Sequence, residues 1–64
     1  MCLSTVFEER AGSQTKLGEY ISSVKAEGGK ITLTDIMGME TVVFGTLKSV
    51  DLVQNRIIIE GAGA

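Results

Sequence analysis

The chain has no histidine, no proline and no tryptophan, and it carries one cysteine and three aromatic residues in 64 positions. Without histidine, the usual general base of hydrolases is missing, together with the commonest metal ligand. No Ser-His-Asp or Cys-His arrangement can exist. A lone cysteine makes no internal disulfide. The phosphate-cradling loop is also missing, because Gly61-Ala62-Gly63 has no helix after it. Glu8 and Glu9 are adjacent carboxylates, but neighbours on a strand face opposite ways and read as a solvated rim. Phe7, Tyr20 and Phe44 are too few for a base-stacking platform and are assigned to core packing. These absences together argue against an enzyme.

Positive charge is scarce as well. Six Lys+Arg stand against eight Asp+Glu, a net charge of −2. Arg10, Lys16, Lys25, Lys30, Lys48 and Arg56 are scattered among acids, whereas a nucleic-acid binder presents a basic stripe to phosphates. No apolar run approaches the ~18 residues that a membrane span needs. The segment after Met1 has no basic start and reaches Glu8 quickly, unlike a signal peptide. The expectation is a soluble cytoplasmic protein whose thiol stays reduced.

What is present is a strand former's pattern. Residues 30–36 (KITLTDI) alternate, with Ile31, Leu33 and Asp35 on one side and Thr32, Thr34 and Ile36 on the other. Residues 20–27 (YISSVKAE) lead into Gly28-Gly29, a pair suited to the positive φ angles of a tight hairpin. Residues 41–47 (TVVFGTL) read as a strand with Gly45 as a bend or bulge, entered through Met37-Gly38-Met39. Residues 49–53 continue that strand or turn, and Gln54-Asn55 turns the chain into residues 56–60 (RIIIE). Three consecutive isoleucines there suggest burial on both faces. Residues 2–8 (CLSTVFE) make a first strand. The polar, glycine-broken stretch 9–18 reads as a loop; the helical alternative, residues 16–25, has Leu17, Tyr20, Ile21 and Val24 at helical spacing. Asp35 takes an inward position and needs donors, which the backbone of the Met37-Gly38 turn can supply.

Five strands in so short a chain predict an all-β fold, a small five-stranded, strongly bent sheet or half-open barrel of SH3 or OB type. Residues 1–60 form one domain and residues 61–64 a flexible tail. Such a domain hides only about 60% of the surface its unfolded chain exposes, so a metal or a partner subunit is needed to support it.

Cys2 connects both needs. Its plain reading is a small apolar side chain at the start of a strand. Its chemical reading rests on reach: thiolate, neighbouring amide nitrogens and the chain-terminal amine together form planar chelate rings. Square-planar N/S ligation suits nickel(II) or copper(II), whereas zinc wants four tetrahedral ligands. Two copies of Cys2 at a two-fold axis would double the thiolates and add buried surface. Met37 and Met39 flank Gly38 as thioethers, a copper(I) motif on one reading and side chains capping the core or an interface on the other.

The opening Met1-Cys2-Leu3-Ser4-Thr5-Val6, the strand Gly29-Lys30-Ile31-Thr32-Leu33-Thr34-Asp35-Ile36 with Gly38 after it, and Val50-Asp51-Leu52 before Ile57-Ile58 resemble the CooT family. These are small nickel-binding accessory proteins of carbon monoxide dehydrogenase maturation, with related sequences described as small RNA-binding-type proteins. The resemblance implies a homodimer of small β domains holding one nickel(II) through Cys2 of each subunit, a metallochaperone with a nickel-enzyme client and no catalytic residue. Copper would compete for such a site in vitro. The rival readings are a metal-free protein-interaction module and a small nucleic-acid-binding domain.

Overall fold

A computed structural model, which describes residues 3–61, folds the chain into five strands. They are β1 (Ser4–Arg10), β2 (Ser13–Glu27), β3 (Lys30–Asp35), β4 (Glu40–Asp51) and β5 (Arg56–Gly61). Successive strands pair antiparallel, and β1 closes the ring against β5 in parallel, from Thr5↔Arg56 to Glu9↔Glu60. The all-β, five-stranded expectation holds. The sheet goes further than half-open and forms a closed barrel, which leaves no unpaired edge between β1 and β5.

Closure with so few strands requires two of them to serve two neighbours each. The first half of β2 pairs with β1 and its second half with β3. Likewise, β4 pairs with β3 as far as Phe44 and with β5 from Gly45 onward. At the β2 corner Tyr20 adopts φ +57° and the ladder to β3 slips by one residue between Ile21 and Ser23. The Ser22 hydroxyl lies 3.2 Å from the Thr34 carbonyl and 3.3 Å from that of Asp35, within donating distance of both. At the β4 corner the sequence supplies glycine. A Cβ on Gly45 would drive into the carbonyl oxygen of Glu60, and the Gly45 amide donates to the Gly29 carbonyl at 2.9 Å. The irregularity expected at Gly45 is thus a corner; the register slip on β4 falls between Leu47 and Ser49.

The β2 corner explains why residues 16–25 imitate a helix. A regular strand would alternate, but the left-handed residue and the slip re-aim the side chains, so Leu17, Ile21 and Val24 all pack on the core at helix-like intervals. The loop expected over residues 9–18 is likewise a hairpin. Glu9↔Gln14 and Arg10↔Ser13 are paired, and Ala11 and Gly12, both at positive φ, make the turn. Its polarity reflects exposure, since residues 10–16 extend past the core.

The core is aliphatic: Val6, Ile21, Ile31, Leu33, Ile57 and Ile59, with Leu17, Val24 and Val43 against it. Ile57 and Ile59 point inward, while Ile58 is half-buried outside opposite Phe7, so β5 is not buried on both faces. The aromatic residues also depart from expectation. Tyr20 and Phe44 are more than 60% exposed, and Phe7 lies on the outer surface with the Arg56 guanidinium 4.8 Å from its ring centre. A barrel this narrow has no room inside for a six-membered ring beside six aliphatic side chains. Gly28 and Gly29, both at positive φ, close the β2–β3 hairpin as expected.

Outside, Lys48 of β4 reaches across β5 to Glu9 of β1 at 2.8 Å. The hydrogen bond from Lys48 holds the Glu9 carboxyl below its ordinary range, and the same bond raises the Lys48 ammonium. A lowered carboxyl contributes stability above the ordinary carboxylate range and loses it as pH falls through the lowered value. A raised ammonium contributes at neutral pH and loses its share as pH rises through the raised value. Both groups are open to solvent, so the contribution is small and sensitive to salt.

Two outcomes are expected. Gly45→Ala should destabilise the barrel by about 1–3 kcal/mol through overpacking against a backbone oxygen that cannot rotate away, measured by urea unfolding. Lys48→Met should melt below the wild type at neutral pH in low salt, and the gap should narrow as the solution is acidified through the range where Glu9 protonates.

Candidate functional site

The candidate ligand Cys2 lies outside the described residues, and so does Met1. Description begins at Leu3, which is half-buried, and the strand that follows is held on both sides. Ser4 pairs with Ile21 of β2, and the Thr5 amide donates to the Asn55 carbonyl at 2.9 Å in the turn before β5. The start of β1 therefore sits between two connections, the β3–β4 turn, reached through β2, and the β4–β5 turn beside it.

Each connection is pinned by an aspartate that ends the preceding strand. In the first, Asp35 Oδ1 accepts from the Met37 amide at 2.9 Å and the Met39 amide at 3.0 Å. The Gly38 amide donates to the Asp35 carbonyl at 3.0 Å, the Asp35 amide donates to the Met39 carbonyl at 3.0 Å, and Gly38 takes the left-handed conformation. This is a three-residue hairpin loop finished by a glycine at positive φ. Of the donors expected from the Met37-Gly38 turn, the carboxylate takes the Met37 amide, with the Met39 amide as its second donor in place of Gly38, and the residue is half-buried rather than buried. The Ile36 amide donates to the Tyr20 carbonyl at 3.0 Å, tying the turn to the β2 corner. In the second connection, Asp51 Oδ1 accepts from the Val53 amide at 3.0 Å and the Gln54 amide at 2.9 Å. Asn55, at φ +57°, then redirects the chain into β5.

Met37 and Met39 do not cap the core; they are 83% and 68% exposed on the pinned turn. Glu8 and Glu9 diverge as adjacent strand residues should, Glu8 to Arg10 at 3.0 Å and Glu9 to Lys48. The described residues contain no pocket and no group of three or more His, Cys, Asp or Glu able to hold a metal ion. Among the described residues there is no helix long and apolar enough to cross a membrane. At this end of the barrel the start of β1 therefore lies between two turns, each held by an aspartate carboxylate oxygen that accepts two backbone amides.

The family model for CooT, described as CO dehydrogenase accessory protein CooT, matches residues 1–60. This chain belongs to the CooT family. The match takes in all but the last residue of the described barrel and includes Cys2. No curated protein matches the chain. Among solved structures, a crystal structure assigned to CooT from Carboxydothermus hydrogenoformans superposes with a TM-score of 0.86, covering 97% of this chain and 100% of that one at 21% sequence identity. At that identity the likeness establishes a shared barrel, and the CooT barrel is thus preserved where most side chains differ.

The aspartate frame predicts a graded response. Asp35→Ala should cost about 1–2 kcal/mol of unfolding free energy, because two backbone amides lose their acceptor. Asp35→Asn, which keeps an acceptor oxygen, should cost less than half as much in the same denaturant titration.

Proposed function

We propose that this chain is a cytoplasmic homodimeric accessory protein that carries nickel(II) to a carbon monoxide dehydrogenase or a related nickel enzyme, taking one ion per dimer through the Cys2 thiolate of each subunit. The observation that carries this reading is the CooT match over residues 1–60, inside which Cys2 is the one cysteine of the chain.

The cargo chemistry follows from the donors. A thiolate with nearby backbone nitrogens favours planar coordination, and two thiolates make the site soft enough for nickel(II). Copper(II) stands above nickel in intrinsic affinity, so selection in the cell rests on supply and client. The thiol must lose its proton to bind, so loading releases protons and weakens below neutral pH. Because only the folded dimer would hold the ion, saturation at about 100 times the dissociation constant should stabilise it by about 2.7 kcal/mol. For a barrel with six buried hydrophobic residues that increment is large.

The test is a nickel(II) titration under reducing, anaerobic conditions, followed by absorption and calorimetry for the wild type and Cys2→Ser. The expected result is saturation at one ion per two chains, thiolate-to-nickel bands absent from Cys2→Ser, and affinity falling from pH 8 to pH 6. Binding indifferent to the substitution would reject the reading and favour a metal-free interaction module.

A further inference from the structure

Bending β2 and β4 closes the ring but leaves part of their backbone unpaired. Each half of each bent strand meets one neighbour and leaves its opposite side open, on β2 before and after Tyr20 and on β4 before and after Gly45. A row of free amides and carbonyls is a template for another strand, and proteins blunt such edges with lysine and with bulges that twist the ladder. Three of the four half-edges are blunted in this way. The first half of β2 carries Lys16 and the register slip opposite Val6 and Phe7, and its second half carries Lys25 and the slip between Ile21 and Ser23. The second half of β4 carries Lys48 at the slip between Leu47 and Ser49.

The first half of β4, from Glu40 to Phe44, carries neither device. Its register with β3 runs without a slip from Thr34↔Glu40 to Lys30↔Phe44. Hydrogen bonds bracket that run, from the Asp35 amide to the Met39 carbonyl at one end and from the Gly45 amide to the Gly29 carbonyl at the other. Antiparallel ladders alternate bonded and unbonded pairs, so Thr41 and Val43 bond to β3 while the backbone groups of Glu40 and Val42 face the other way. The described pairing of β5 with β4 stops at Gly61↔Gly45 and does not reach them. Because Val43 packs against the core, Glu40, Val42 and Phe44 line the outer surface. Val42 is 46% and Phe44 62% exposed there, and Glu40 makes no ion pair among the described residues.

We propose that this half-edge is a docking site for an extended segment of a partner protein, added as a strand antiparallel to β4 in line with β5. The side chains specify the segment. Read from its N-terminal end, it carries an apolar residue opposite Phe44, a second opposite Val42 two positions on, and a lysine or arginine opposite Glu40 two positions beyond that. Backbone hydrogen bonds to Val42 supply affinity, and the three side-chain pairs supply selectivity. Other occupants match the edge less well. A second copy paired antiparallel about Val42 would set the Glu40 carboxylate against Phe44 in place of a cation. Ala62, Gly63 and Ala64, which follow Gly61 in sequence, offer neither a large apolar side chain nor a cation. β4 pairs with β3 and β5 and not with β1, and docking here is independent of the nickel reading above.

The test is a residue-resolved magnetic resonance titration of the isotope-labelled chain with the blocked peptide acetyl-Ile-Thr-Val-Thr-Lys amide. The expected result is saturable binding with the largest shifts at the Glu40 and Val42 amides. N-methylation of the peptide's valine removes the amide that donates to the Val42 carbonyl and should weaken binding about 10-fold. Glu40→Lys should weaken it about 5-fold at low salt and favour a peptide that ends in glutamate instead, with a thermal melt to check the variant barrel. Cys2→Ser should bind the peptide as the wild type does, which separates this edge from the metal site. Failure to saturate at millimolar peptide, shifts centred on β2 or on the second half of β4, or equal binding of the N-methylated peptide would overturn the site. Binding seen only in a chain shortened to end at Gly61 would show that residues 62–64 fill the edge, and would overturn a partner segment as its occupant.

Discussion

At Gly45 the backbone of β4 runs directly against the Glu60 carbonyl, and this contact is the constraint on which the barrel turns. On one side of it β4 belongs to β3, and on the other side to β5. A side chain there would hold the two strands apart and open the ring on the side where β5 must also meet β1. The matching corner on β2 is reached differently, with a non-glycine residue held at positive φ and a one-residue slip in the ladder. Two bent strands of 15 and 12 residues thereby do the work of four short ones, which lets a described span of 59 residues close a barrel with every neighbouring strand paired.

Closure has a consequence for the interior. A narrow barrel accepts branched aliphatic side chains in alternate positions and excludes rings, so Val6, Ile31, Leu33 and Ile59 are almost wholly enclosed while Tyr20 and Phe44 remain outside. Burying each such aliphatic side chain contributes about 1.5–3 kcal/mol against the entropy of ordering the chain. With so few of them the balance is narrow, and apolar surface left outside acquires weight. The same economy shows in the strand that opens the barrel: Ser4 pairs with β2 and the Thr5 amide donates to the Asn55 carbonyl, so the start of β1 is held from both sides.

Much of the strand layout was legible from local pattern. Alternation marked β3, the Gly28-Gly29 pair marked its hairpin, and Asp35 was assigned the amides of the turn that follows it. Misreadings fell where tertiary geometry altered the period. Leu17, Ile21 and Val24 have helical spacing because β2 turns a corner between them, and no local rule distinguishes a bulged strand from a short amphipathic helix. Residues 9–18 looked like a loop because both faces of that hairpin meet water, which removes the alternation that would mark a strand. Ile57-Ile58-Ile59 suggested two buried faces, yet Ile58 packs outside near Phe7, an apolar contact on the barrel wall that hydrophobicity alone cannot place. Residues 49–53 were open to both readings, and both hold in part: β4 continues to Asp51, and Leu52 and Val53 stand exposed in the turn after it.

By itself the sequence determined the absence of histidine chemistry, the all-β class and the single thiol at Cys2, because composition and two-residue alternation act locally and need no partner strand. Its resemblance to the CooT family was carried by the same short segments. The tertiary structure alone decided that the ring closes through a parallel β1–β5 pair, that aromatic residues stay outside, and that two apolar turns flank the start of β1. Those outcomes depend on contacts between residues about fifty positions apart, such as Thr5 with Arg56, and on the volume enclosed once the strands meet. Neither quantity exists until the chain has folded.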